Sequence, residues 1–323
     1  MKFILLILIL SFSNLWAELI TLPVGLQEPE LKKIEIDLQK SLLGKKLFFD
    51  TNLSADHSVS CASCHDPKSG YTINKAFGQG VHKRIGNLNP PAIFNRYKNG
   101  IQFWDGRAKN LNDQIRGPLF ADNEMGNLNA KQITDYLNSN SDYVSSFQKT
   151  YLQLPNLDLA IDAIIEFEKT ILIGNSKFDM YRSGKHDVYN SNEIKGMDLF
   201  FNKFKCQTCH SGNNFTNESL EVRCYPKHFI NLSTEEKNKL KKIKVPSLRN
   251  LGKTWPYLHD GSLNKLEDVI DFYVDTGILD LKANEIKNLV APSPLEKKQL
   301  VAFLRTLDEI EQKKGAKKLP HKN

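Results

Sequence analysis

Methionine is scarce in this 323-residue chain: it occurs at Met1, Met125, Met180 and Met197 and nowhere after them. None lies between the second Cys-x-x-Cys pair and the C-terminus, so that stretch offers no thioether donor. Cysteine is almost as rare, at five residues, and four of these form two Cys-x-x-Cys pairs. Only Cys224 is left over, which excludes a disulfide framework. Cys224 itself reads either as a buried thiol or as a site of intermolecular pairing. Alternation of polar and apolar residues is missing at any length, which argues for a mainly α fold. The apolar run Phe3–Leu10 is too short to cross a bilayer. What is present is ordinary: 40% hydrophobic and 25% charged residues describe a soluble globular protein with material for two cores.

Met1-Lys2, the apolar run and the segment Ser11–Ala17 together make residues 1–17 a secretory signal, which places the protein in the periplasm. Leu15 is larger than cleavage sites prefer, so an uncleaved anchor is the second reading. The length predicts two domains, 18–185 and 186–323, parted within the polar, glycine-containing stretch Asn175–Asn190. No internal repeat is visible beyond one duplicated motif.

That motif is Cys61-Ala62-Ser63-Cys64-His65, repeated as Cys206-Gln207-Thr208-Cys209-His210. Cys-x-x-Cys-His is the attachment site of a c-type haem: two thiols add across the porphyrin vinyl groups and the next residue becomes an axial ligand of the iron. The alternatives are a zinc site and a redox dithiol. Zinc-binding pairs usually lie about 12 to 20 residues apart, whereas Cys64 and Cys206 are separated by 141 residues. A dithiol has no need of a histidine directly afterwards, twice. Two covalent haem c groups are therefore expected. Their four propionates offset much of the formal charge of +7, which removes the argument for nucleic acid. The lysine-rich stretches Lys237–Lys244 and Lys313–Lys318 read as solvated surface, or as a face for an acidic redox partner.

Periodicity predicts helices over Leu38–Phe49 (with Leu38, Leu42, Leu43 and Phe49 inward), Leu128–Tyr151, Leu157–Ile173, Asn192–Phe204 and Lys265–Val274. Ser293-Pro294-Leu295-Glu296 is a capping box that starts a further helix with Leu300, Phe303, Leu304 and Leu307 on one face. Between Asp66 and Gly100 the chain is a long loop rich in Gly, Asn and Pro.

Four more segments complete the pattern: Leu43–Asp50, Phe103-Trp104-Asp105-Gly106-Arg107-Ala108, Gly117-Pro118 and Pro256–Ser262. Together with the two haem motifs, and in this order, they closely resemble the bacterial dihaem cytochrome c peroxidase family over nearly the whole chain. The resemblance implies two cytochrome c-like haem domains, reduction of hydrogen peroxide at the N-terminal haem, and entry of electrons near the C-terminal one from a small cytochrome c or cupredoxin. It implies that Trp104 relays electrons, that Glu124 is the acid-base group and that Gln114 positions the peroxide. His82 falls near the family's distal histidine, either a ligand of the first iron or a loop residue exposed to water. Calcium between the domains is implied with Asn89, Thr254 and Pro256 as oxygen ligands. Family members are often homodimers.

One departure stands out. Many members place Met as the distal ligand of the second haem, and here the aligned residue is Tyr273. Phenolate stabilises ferric iron where thioether favours ferrous. Tyrosine in this place resembles the dihaem enzyme that matures the tryptophan-derived quinone of methylamine dehydrogenase. The other reading has Tyr273 merely packing in its helix. Beside the peroxidase stand two alternatives: a maturase that oxidises residues of a partner protein, and a dihaem electron carrier without a catalytic site.

Overall fold

The computed structural model describes residues 17–96, 100–222, 242–275 and 291–310. The expected signal segment up to residue 16, Cys224 and most of both lysine-rich stretches lie outside these residues. Helices dominate, as composition and patterning predict. Two short antiparallel strand pairs add to them: β1 (Ala17–Thr21) with β2 (Lys33–Asp37), and β3 (Leu220–Val222) with β4 (Lys242–Lys244). β1 shows no alternation, but β2 does: Lys33-Ile34-Glu35-Ile36-Asp37 alternates, with Ile36 buried, which corrects the expectation that no alternation is present. Five residues are too few for the pattern to stand out in the sequence.

The first core gathers around α1 (Leu38–Phe48) and α6 (Leu157–Glu168). The Asp37 side chain caps α1 by accepting from the Lys40 amide at 3.0 Å. The two helices cross at Gly44, where a Cβ would stand 1.8 Å from the Ala163 carbonyl oxygen. That contact fixes the inward face of α1 as Leu43, Leu47 and Phe48, and it turns Leu42 and Phe49 outward, at 59% and 43% exposure. The expected face with Leu42 and Phe49 inward is thus corrected.

Between these helices lie α2 (Cys61–Cys64), α3 (Leu111–Phe120), α4 (Ala130–Ser139) and α5 (Ser141–Tyr151). The single helix expected over 128–151 is broken by Asn140, whose side chain accepts from the Asp142 and Tyr143 amides and starts a new helix. Helix α6 likewise stops at Glu168, short of Ile173.

A second core is built from aromatic rings, Phe178, Phe200, Phe204, Phe215 and Phe303 among them. It joins α7 (Lys177–Arg182), α8 (Ser191–Asp198), a wider π turn at Leu199–Lys203 and the helix Pro294–Arg305. Ser293 and Glu296 form the expected capping box at the head of that last helix. Helix α8 meets it at Gly196, where a Cβ would lie 1.9 Å from the Gln299 carbonyl oxygen. Each half therefore repeats one device: a helix ahead of the Cys-x-x-Cys-His motif crosses the half's last helix through a glycine.

Candidate haem sites

At the first site Cys61, Cys64 and His65 lie on one turn. The His65 amide donates to the Cys61 carbonyl at 3.0 Å, and the Ser60 amide donates to the Ser63 hydroxyl at 2.9 Å. The His65 Nδ1 faces the Tyr71 carbonyl at 3.2 Å, which fixes the tautomer and leaves Nε2 for a ligand. Burial pushes the imidazole down to about 4, so it stays neutral, as an iron ligand must be. Burial likewise pushes Cys61 up to about 12 and Cys64 up to about 11. Such thiols are unsuited to zinc or to thiol exchange, both of which use thiolate. A neutral thioether fits the surroundings. Among the described residues no group of three or more His, Cys, Asp or Glu is disposed to hold a metal ion, as a protein zinc site would require.

The second site repeats the turn. The His210 amide donates to the Cys206 carbonyl at 2.9 Å, and its Nδ1 lies 3.3 Å from the Phe215 carbonyl and 3.2 Å from that of Pro246. A cavity of about 930 Å³ opens here, near the upper end of the range for cofactor pockets, about 300–1,000 Å³. Cys206, Cys209 and His210 line one part of it; Leu266, Ile270 and Tyr273, from the helix Leu266–Asp275, line another. His210 and Tyr273 thus share one cavity.

Trp104 is buried on the same wall, its indole N–H donating to the Asn89 carbonyl at 2.7 Å. Asn89, Thr254 and Pro256 all border this cavity. The Asn89 amide nitrogen donates to the Lys75 and Ala76 carbonyls, and its main-chain N–H donates to the His259 carbonyl at 2.8 Å. The side-chain oxygen of Asn89 and two carbonyls nearby are hard donors of the kind calcium takes.

Glu124 follows α3, the helix that carries Gln114. Its carbonyl accepts from the Val81 amide at 2.8 Å. Its carboxyl is raised above the usual range by burial, opposed by the Arg107 guanidinium, and it stands near enough to Cys64 and Cys61 to raise both thiols. Glu124 is thus brought to the first haem site. His82 is not: it occupies a left-handed turn, its side chain 61% exposed and paired with Asp56 at 3.4 Å.

Several groups escaped the reading of the sequence. Glu168, at the end of α6, is 5% exposed, has one carboxyl oxygen without a hydrogen-bond partner, and is pushed up to about 8 by burial. Arg96 and Lys244 are buried beside the second cavity. Isolated charged residues in a loop and at a strand end carry no periodic signal, and only the fold reveals them as interior.

Two Cys-x-x-Cys-His turns, each seated by a glycine-crossed helix pair and each with a neutral histidine poised for iron, define a protein with two covalent c-type haems. The chain belongs to the di-haem cytochrome c peroxidase family, whose model matches residues 38–187. The cytochrome c551 peroxidase of Pseudomonas aeruginosa is 31% identical over 83% of this chain and 82% of its own length. The cytochrome c peroxidase Ccp of Escherichia coli is 33% identical over 82% of this chain, which spans only 59% of that relative's length. The fold also matches the crystal structure of a MauG-like protein associated with microbial copper homeostasis, at a TM-score of 0.73 and 26% identity, covering 90% of this chain and 92% of that one.

Proposed function

We propose that this chain is a peroxidase with two cytochrome c-like domains, exported to the periplasm, that reduces hydrogen peroxide to water at the first haem site. Electrons come from a small cytochrome c or cupredoxin. The observation that carries the proposal is Glu124, a half-buried carboxyl near enough to Cys64 to perturb it and whose affinity for protons is raised by its surroundings.

Cys61, Cys64 and His65 would hold the first haem, which would supply the iron chemistry for binding and reducing peroxide. Glu124 accepts the proton of the near oxygen and returns it to the far one, so that water rather than hydroxide departs. Two electrons and two protons convert one peroxide into two waters. The raised affinity brings Glu124 closer to the working pH, where a group can both take and return a proton. Gln114 orients the peroxide by hydrogen bonding. Trp104, on the wall of the second cavity, carries electrons between the halves. His210 and Tyr273 would hold the iron of the second haem, and Asn89, Thr254 and Pro256 would hold calcium. Exposed His82 leaves the first site open to peroxide.

The test is Glu124→Gln. Both haems should be retained, by pyridine haemochrome absorbance, while turnover falls about 10²–10⁴-fold, the share a positioned acid-base group contributes. Unchanged turnover removes the assignment. Ligation by Tyr273 further requires that the ferric protein lack the band near ~695 nm of His/Met haem.

A second reading, the maturase, is favoured by Tyr273 in the cavity of His210. Adding peroxide to the ferric protein, then reduced cytochrome c, separates the two. Rapid oxidation of the donor belongs to the peroxidase, and a persistent spectral change without donor turnover belongs to the maturase.

A further inference from the structure

Among the described residues, three buried cations border the second cavity. Arg249 is paired closely with Asp179 at 2.8 Å, and the other two, Lys244 and Arg96, are accounted for by neither the haem motifs nor the peroxide chemistry. Lys244 ends β4 and is only 7% exposed. Its backbone is pinned, the N–H donating to the Trp104 carbonyl at 2.7 Å. Its ammonium makes no hydrogen bond among the described residues, and its one ion contact, with Glu218 Oε2, is 3.8 Å long. A buried ammonium usually satisfies its donors, because a charged group left unpaired in the interior is strongly disfavoured.

Arg96 is the second cation, 8% exposed. Its Nε and Nη2 are held by the Gln102 side chain at 3.0 and 2.8 Å, and Nη2 also by the Ile101 carbonyl. Gln102 is neutral, however, and among the described residues the only carboxylate paired with Arg96 is again Glu218, at 3.4 Å. Two buried cations thus share one carboxylate, at distances longer than close charge-assisted bonds. Two other acidic groups lie near. Glu221 borders the cavity, its Oε1 accepting from the Ser219 hydroxyl. Glu168 is kept protonated by burial and so adds little negative charge. Burial and the charge of Arg96 push Lys244 down to about 7, the response of a cation that lacks its anion.

Lys244, Arg96, Trp104, Cys206, Cys209 and His210 border the same cavity. We infer that Lys244 and Arg96 form the seat for the propionate carboxylates of the second haem, the anionic edge of the group that Cys206 and Cys209 attach. The thioethers fix one side of the porphyrin and the cations fix the propionate edge. Through the Lys244–Trp104 backbone bond, that edge is registered against the indole. This inference rests on haem at the second motif and is independent of peroxidase activity, so a wrong substrate would leave it standing.

The test is a reductive spectroelectrochemical titration of the holoprotein carrying Lys244→Met, with Lys244→Arg as the conservative variant. Haem is counted first, because the thioethers should keep two per chain whatever occupies residue 244. Removing a cation beside the porphyrin disfavours the added electron. The equilibrium constant for reducing the second haem should fall about tenfold, about 59 mV for a one-electron couple, and Lys244→Arg should restore it. Two haems with an unshifted second potential in Lys244→Met overturn the proposal. Should that variant fail to accumulate, redox-difference infrared spectra of the wild-type holoprotein decide. Bands sensitive to isotope labelling of arginine should appear with the propionate bands as the second haem is reduced, and their absence overturns the seat.

Discussion

Glu168 is the residue whose chemistry is least expected from its place in the chain. It closes α6, where a carboxylate normally meets solvent, yet the fold turns it inward with one oxygen unpartnered. Its carboxyl is pushed up to about 8 by burial, with Arg96 opposing, against about 4.3 in an unfolded chain. The folded protein therefore holds a proton that the unfolded chain releases between these values. Stability should fall as pH rises from about 4.5 and level off above about 8. Glu168→Gln mimics the protonated form and removes that slope. Thermal unfolding of the holoproteins should give nearly equal midpoints near pH 5, with the wild type falling progressively below the variant towards pH 8. Parallel curves across the range would show that Glu168 is already ionised in the fold. Glu124 and Glu168 together are two carboxyls made reluctant to ionise, both perturbing Cys61. In the sequence they look like any glutamate, and only the resemblance to a family singles out Glu124.

Helices were legible where their ends carry chemistry and less so where their neighbours decide. Ser293 and Glu296 specify the start of the last helix by side chains that bond only to that helix's own backbone. The two Cys-x-x-Cys-His turns were legible for the same reason: the chemistry is contained within five residues. By contrast, the inward face of α1 depends on where α6 crosses it, and α3 contains Gly117-Pro118, a dipeptide that locally disfavours a helix. The structure accommodates Pro118 near the end of that helix, and the Pro118 carbonyl accepts from Met125 instead. The crossing at Gly44 is itself testable. In Gly44→Ala the new methyl would meet the Ala163 carbonyl, a backbone atom with no rotamer to escape into. The helices must move apart, and overpacking of this kind costs about 1–3 kcal/mol. Chemical denaturation should register that loss although alanine is the better helix former. A neutral or stabilising effect would show that α1 and α6 are not held at this distance.

At the scale of the molecule, the question is what keeps the N-terminal loop and the C-terminal segment in register, since neither core spans both. Asn74 donates to the Lys253 and Trp255 carbonyls, and the Asn89 N–H donates to the His259 carbonyl. Asn89 is the node: its carbonyl holds Trp104, its amide nitrogen holds residues 75 and 76 and leaves its amide oxygen as a ligand atom, and the residue borders the cavity together with Thr254 and Pro256. An ion bound to that oxygen and to the two carbonyls would tie the indole to both segments at once, where the hydrogen bonds alone tie them weakly, each worth about 0.5–1.5 kcal/mol net. Calcium removal should therefore act on electron passage before it acts on the fold. After chelation and desalting, the haem count and far-ultraviolet dichroism should stay constant, while the rate at which a reduced donor is consumed falls. Calcium but not magnesium should restore it, because carbonyl-rich sites of flexible geometry suit the larger ion. Equal rates with and without calcium would show that electron passage through Trp104 does not depend on an ion at Asn89.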